Sequence, residues 1–230
     1  MPNYLLEIFG SERTGLTLAT SDIDLRLVDE MTLKEPEHSK FPPTRYQRDQ
    51  AAKDLNKLYE GIRAKHKSLY LLMAIRYARY PLISLQDKVS GLDVQVVLSN
   101  DTSLSRSLMQ GYMEQYPYLR QLYLVVKTMF DVRGLADVFR GGFGSYTLFM
   151  MIVASIKHKP HPRNDAAGGL FNFMRFYRDF DTTKEGLSIE PVATFNKAEE
   201  PVMPAGAKAK LDVRTPTLSD PSYYKEKKTS

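Results

Sequence analysis

Two acids set into an apolar stretch near the start of the chain constrain it most: Ser21-Asp22-Ile23-Asp24-Leu25. They follow the apolar run of Tyr4, Leu5, Leu6 and Ile8, the pair Gly10-Ser11 and a short loop. On a strand, side chains alternate between faces, so Asp22 and Asp24 share one face while Ile23 and Leu25 take the other. Two hard-oxygen ligands on one rigid face suit magnesium, the usual companion of a nucleoside triphosphate. Gly10 permits close backbone approach, and the amides and hydroxyl around Ser11 can hold a phosphate. The same Ser-Asp pair also suits a turn or a helix cap.

Composition narrows the alternatives. A chain of 230 residues suits one or two small domains with a real core. Its formal net charge of +5 fits a phosphate-rich partner and equally a solvated lysine surface. The absence of cysteine excludes disulfides, thiolate metal sites and a cysteine nucleophile, and four histidines argue against a zinc site. No apolar run is long enough to span a bilayer, and the N-terminus lacks the pattern of a secretory signal. An intracellular location is expected, with nucleus, cytoplasm and mitochondrion all open. The chain begins almost on its first strand, as a fragment of a longer protein would.

Taken in order, the acidic strand runs to about Val28, and prolines 36, 42 and 43 mark Met31 to Arg48 as a loop. Ala52, Leu55, Leu58 and Ile62 recur at helical spacing, and Leu69, Leu72, Met73 and Ile75 extend that pattern. One helix is expected, broken near Lys65 to Lys67 and stopped by Pro81. Leu82 to Val89 and Leu92 to Ser99 read as a hairpin turning at Ser90-Gly91, which places Asp93 and Gln95 on one face. Helices are expected over Leu104–Tyr116, Pro117–Asp131, Gly144–Lys157 and Gly168–Phe180. The expected organisation is residues 1–103, a helical region 104–185, and an extended or partly disordered tail 186–230 rich in proline and ending in lysines.

Four blocks stand in this order: FGSERTGLTLATSDIDL, SGLDVQVVLSND, YPYLRQLYLVVKTMFDVRGLADVFRGGFGSY and FYRDFDTTKEGLSIEP. The series resembles the TRF/Cid-type terminal RNA nucleotidyltransferases, which include poly(A) polymerases and terminal uridylyltransferases. The resemblance covers about Leu5 to Pro191. It implies an α+β chain: a polymerase-β-like nucleotidyltransferase palm, with a mixed sheet and helices, followed by a helical domain of the poly(A)-polymerase/oligoadenylate-synthetase type. It also implies Mg2+ (or Mn2+) as cofactor, ATP or UTP as nucleotide, and an RNA 3′ end as acceptor.

By the same resemblance, Gly10 and Ser11 hold the triphosphate, and Asp22 and Asp24 are the first two metal-binding carboxylates. Lys127 contacts the triphosphate, the Ser145 hydroxyl reaches a phosphate, and the Tyr146 ring stacks on the base. Elementary chemistry agrees, since lysine is a compact point charge and a tyrosine face accepts any base. Read without the resemblance, Lys127 is a snorkelling surface lysine and Tyr146 a core aromatic.

The departures bear on activity. Where the family carries its third catalytic carboxylate this chain has Gln95, a neutral amide. Asp93 shares its face and is the candidate replacement, about 6–7 Å along the strand. Arg106 stands where an asparagine faces the ribose, although Ser107 beside it keeps a hydroxyl, and Ala136 replaces a usual asparagine. The family's N-terminal helix and C-terminal nucleotide-recognition segment are missing, which leaves a place for a protein partner to complete the fold. Two readings follow: a transferase adding AMP or UMP to RNA 3′ ends by two-metal chemistry, impaired at Gln95, or an inactive RNA- or ribonucleoprotein-binding descendant.

Overall fold

The computed structural model describes residues 4–29, 45–77, 81–98, 103–136, 141–161, 164–198 and 217–219. It divides into two compact units, Met1–Ser103 and Leu104–Ser230.

The first unit is built on a five-stranded sheet in the order β1-β2-β5-β4-β3. Its strands are β1 (Tyr4–Ile8), β2 (Ile23–Asp29), β3 (Tyr70–Arg76), β4 (Leu82–Asp87) and β5 (Asp93–Val97). Helix α1 (Gly10–Thr14) lies between the first two strands, and α2 (Arg45–His66) follows β2. The acidic strand β2 pairs antiparallel with β1 and parallel with β5, so the residues around Asp24 are held on both sides. Alternation sorts the two faces. Leu27, Ile83, Leu85 and Val96 are buried with Leu55 of α2, and Leu25, Leu58, Ile62, Met73, Ile75 and Val94 pack around them. The helix presents Leu55, Leu58 and Ile62 at i, i+3 and i+7, which is why the apolar stripe of one element meets the apolar face of the other.

The hairpin β4–β5 turns where expected. Gly91 takes φ +72, and Asp87 accepts hydrogen bonds from the amides of Val89 and Ser90 and the Ser90 hydroxyl. Those donors, Ser90 foremost, lower the Asp87 carboxyl below its ordinary value. The expected helix over Leu69 to Ile75 is corrected. After a 3-10 turn at Lys67–Leu69 the chain enters edge strand β3, paired antiparallel with β4. Met73 and Ile75 alternate inward, but a register shift between Tyr70 and Leu72 breaks the period of two and imitates helical spacing. Of the loop expected over Met31 to Arg48, residues 45–48 are the start of α2, and residues 31–44 lie outside the described residues.

The second unit contains α3 (Ser103–Gln115), α4 (Leu119–Val132), α5 (Ser145–His158) and α6 (Ala166–Asp179). Helix α5 is apolar all round, with every residue from Leu148 to Ile156 buried, as a helix enclosed on all sides must be. It packs against α4, α6 and strand β6 (Glu185–Ile189). A Cβ on Gly169 of α6 would stand 2.6 Å from Leu122 Cδ2 of α4, so glycine there permits the close helix crossing. Asp165 caps α6, its side chain accepting the Gly168 amide at 2.6 Å.

The tail expected over residues 186–230 is corrected at residues 186–198 and 217–219, and the rest of it lies outside the described residues. Strand β6 pairs antiparallel with β7 (Val192–Asn196) and parallel with β8 (Thr217–Ser219). Leu187 and Ile189 are 2% and 0% exposed, so this sheet belongs to a core. Gly186 makes room for the Phe195 ring opposite it, whose Cε1 lies 2.9 Å from where a Cβ would sit. His158 bonds the Ser188 carbonyl oxygen at 2.8 Å, and Glu190 Oε1 receives the Tyr112 hydroxyl at 2.6 Å and Lys157 Nζ at 3.2 Å. Burial, then the Glu190 contact, raises the Tyr112 phenol far above its usual value.

Candidate functional site

The site is assembled on the sheet face that α2 does not cover. Asp24 is level with Gln95, Gln95 with Ser84, and Ser84 with Ala74, a row running across four strands. One step along lies Glu7 opposite Arg26, with Val97 beyond. Asp22 sits just ahead of β2, and its carboxylate accepts a hydrogen bond from Gln95 Nε2.

Gly10 is fitted against this row. Its φ is +68, and a Cβ there would collide with Asp24 Oδ2 and stand 2.9 Å from Asp24 Cγ. The Phe9 amide donates to the Asp24 carbonyl at 2.9 Å, which ties the turn to the strand. The Ser11 carbonyl accepts the Leu16 amide at 3.1 Å and the Thr14 hydroxyl at 3.0 Å, closing the short helix on itself. Leu16 anchors the end of that loop at 1% exposure. The Gly-Ser turn is thus fixed directly over a carboxylate, where a side chain at position 10 would collide.

The structure adds a pair that sequence reasoning passes over. Arg26 is 8% exposed and gives both Nε (3.1 Å) and Nη2 (2.9 Å) to Glu7 Oε2. Arg13 Nη1 approaches the same oxygen at 3.8 Å. The signal is present: Asp24 and Arg26 continue the period of two from Asp22, and Glu7 interrupts an apolar run at the paired position. A buried guanidinium needs a charged partner on its own face, and the register supplies one.

Asp93 pairs with Gln86, is exposed, and lies at the start of β5. Among the described residues no three His, Cys, Asp or Glu side chains gather into a set able to hold a metal ion. Asp93 is therefore not brought to Asp22 and Asp24 as a third acidic ligand. The two remaining carboxylates fit one magnesium ion, which takes one or two protein carboxylates and fills its shell with water and phosphate oxygens. They do not fit a pair of ions held by three acids.

The other candidates lie in the second unit. Ser107 is exposed on α3, Lys127 is half-buried on α4, and exposed Ser145 and half-buried Tyr146 form the first turn of α5. Lys127 is one turn beyond Tyr123, a fully buried residue whose ring packs on Phe149 at 5.7 Å. Arg106 is half-buried on α3, and Ala136 half-buried after α4. Part of the Gly-rich stretch before α5, residues 137–140, lies outside the described residues.

The family described as "Poly(A) RNA polymerase, mitochondrial-like, central palm domain" matches residues 1–114. The poly(A) RNA polymerase cid14 of Schizosaccharomyces pombe is 31% identical over 163 residues, which are 70% of this chain and 21% of that protein. The chain is similar to the Cid-type terminal nucleotidyltransferases. Its α+β architecture is that of the polymerase-β-like cores. The polymerase core of TRAMP, an RNA surveillance complex, superposes with a TM-score of 0.72 at 24% identity, covering 96% of this chain and 65% of that one. Terminal uridylyl transferase 4 from Trypanosoma brucei with bound UTP and UMP gives 0.74 at 20% identity, covering 96% and 78%. The chain spans well under half the length of the curated relatives it matches. No helix among the described residues is long and apolar enough to cross a membrane.

Proposed function

We propose that this chain is the nucleotide-handling core of a template-independent RNA 3′-terminal nucleotidyltransferase, which moves AMP or UMP from ATP or UTP to an RNA 3′-hydroxyl and releases pyrophosphate. The observation that carries this reading is the fit of Gly10 against Asp24, a backbone turn seated on a carboxylate at the open face of the sheet. Such a turn positions amides beside anionic oxygens and so suits a triphosphate. Ser11 and Lys127 are assigned to the triphosphate, Lys127 as a compact charge. Ser145 is assigned to a phosphate oxygen, the Tyr146 ring to the base, and Ser107 to the ribose side. A magnesium or manganese ion on Asp22 and Asp24 would supply neutralisation of phosphate charge. Poly(A) polymerases and a terminal uridylyl transferase among the similar proteins support the reaction class. The similar TRAMP core works within an RNA surveillance complex, which supports a protein partner for this chain.

A second reading has its own support. The amide at position 95 and the exposed, separate Asp93 leave two acids where the transferase reading expects three. A chain that binds RNA or a ribonucleoprotein without turnover accommodates that loss, with the +5 charge serving phosphate contacts. Primer extension with labelled ATP and UTP on an oligo(A) RNA, in magnesium and in manganese, separates the two. Extension that disappears in Asp22→Ala/Asp24→Ala supports the transferase. Silence from the native chain with activity in Gln95→Asp supports a transferase disabled at one position, and silence from all with RNA binding retained supports the binding module.

A further inference from the structure

Gln95 is the neutral amide on this face, level with Asp24 and bonded to Asp22. It occupies β5, which is hydrogen-bonded to β2 on one side and β4 on the other, so its backbone is fixed from both edges. Its neighbours Val96 and Val97 are buried, and the residue itself is half-buried. From there Nε2 donates to Asp22 Oδ2. Against an ionised carboxylate only the NH2 end of an amide can face inward, because the carbonyl end would meet a like partial charge. An N–H therefore occupies a lone pair of Asp22 Oδ2 that a cation would otherwise use.

We propose that Gln95 sets the cation requirement of this site. In the nucleotide-free protein its amide N–H stands in for a cation on Asp22. The Asp22–Asp24 pair then takes up a single divalent ion, and does so together with the phosphate oxygens of a nucleoside triphosphate. This rests on the reading of the face as a nucleotide site. It makes Gln95 a residue that controls cofactor stoichiometry, acting through Asp22. Two carboxylates alone hold an ion weakly, because affinity for hard cations follows the number of charged ligands. Phosphate oxygens supply the missing charge, so ion and nucleotide bind cooperatively.

The test uses the full chain and manganese as the probe. Uptake of Mn2+ without nucleotide is followed by the loss of the free-ion paramagnetic resonance signal. Binding of fluorescent methylanthraniloyl-ATP and -UTP is followed separately at rising Mn2+ and without RNA. Native protein, Gln95→Glu and Gln95→Met are compared, with circular dichroism reporting the fold. The native chain should take up no Mn2+ below about 1 mM without nucleotide. Gln95→Glu, of the same shape with an added charge, should bind it at least about tenfold tighter. Gln95→Met, of similar shape without the donor, should gain about threefold through release of Asp22. If the acid beside Asp22 unfolds the protein, the Gln95→Met arm decides alone.

Native uptake as tight as that of Gln95→Glu, or no gain in either folded variant, overturns the proposal. Should neither nucleotide bind any of the three proteins while Gln95→Glu gains Mn2+, the proposed function falls together with the joint uptake of ion and nucleotide, and the control of cation affinity by Gln95 stands. Nucleotide binding by all three with no cation gain in the variants does the reverse.

Discussion

The two faces of the five-stranded sheet are made by the same strands and obey different rules. On the α2 side Leu27, Leu55, Ile83, Leu85 and Val96 pack into a core whose requirement is volume. On the open side Asp24, Gln95, Ser84 and the Glu7–Arg26 pair occupy alternate positions of those strands, and their requirement is the placing of charge. The contrast teaches that the register of β2 serves both demands at once. A slip of one residue would turn Leu25 and Leu27 to the open face and both acids into the core.

Four variants sharpen that contrast. The largest expected effect is Asp22→Ala/Asp24→Ala, which should lower RNA extension by at least about a thousandfold, on the order of 4 kcal/mol of barrier, and leave the far-ultraviolet circular dichroism unchanged. Activity surviving that change would locate the chemistry elsewhere. Next, Leu55→Ala empties a fully buried position against the sheet and should cost about 2–5 kcal/mol in urea unfolding. A loss of nucleotide affinity without loss of stability would erase the distinction between the faces.

Gly10→Ala comes third. A left-handed backbone costs a residue with a Cβ about 1–2 kcal/mol, and the added carbon would push on the Asp24 carboxylate. Nucleotide binding should therefore fall more than thermal stability does, as a fluorescent-nucleotide titration against a melting curve would reveal. The smallest effect belongs to Asp87→Asn at the exposed hairpin turn. The Asp87 carboxyl is lowered in the fold, so its contribution is present above the ordinary carboxylate value of 3.8 and is lost as pH falls through the folded value. The variant should melt slightly earlier near neutrality and match the native chain in acid.

Much of the site is legible in the sequence because its chemistry is local. Gly10, Asp22 and Asp24 lie within one short stretch, and period-two spacing alone assigns the acids to one face. Gln95 is legible as a departure, but its bond to Asp22 is not, since a contact across 73 residues depends on β2 and β5 pairing in parallel. The Glu7–Arg26 pair leaves a period-two signal in the sequence, but only the antiparallel register of β1 and β2 shows that the two residues face each other. Strand β3 reads as helix because one irregularity at Tyr70/Leu72 disturbs the alternation, and because Leu71 and Leu72 are 57% and 65% exposed on an edge strand. The β6–β7 hairpin reads as tail because five-residue strands are too short to establish a period.

By itself the sequence determined the helices α3 to α6 to within a few residues, the body of α2 but not its end, the β4–β5 turn and the alternation that separates acids from aliphatics. Those depend on propensity, capping and spacing within a few residues of chain. Tertiary structure alone decided which strands are neighbours, that Gly10 seats on Asp24, that Asp93 stays apart, and that Gln95 puts an N–H on Asp22. The physical reason is that pairing free energy is shared between segments distant in the chain, so no local window contains it.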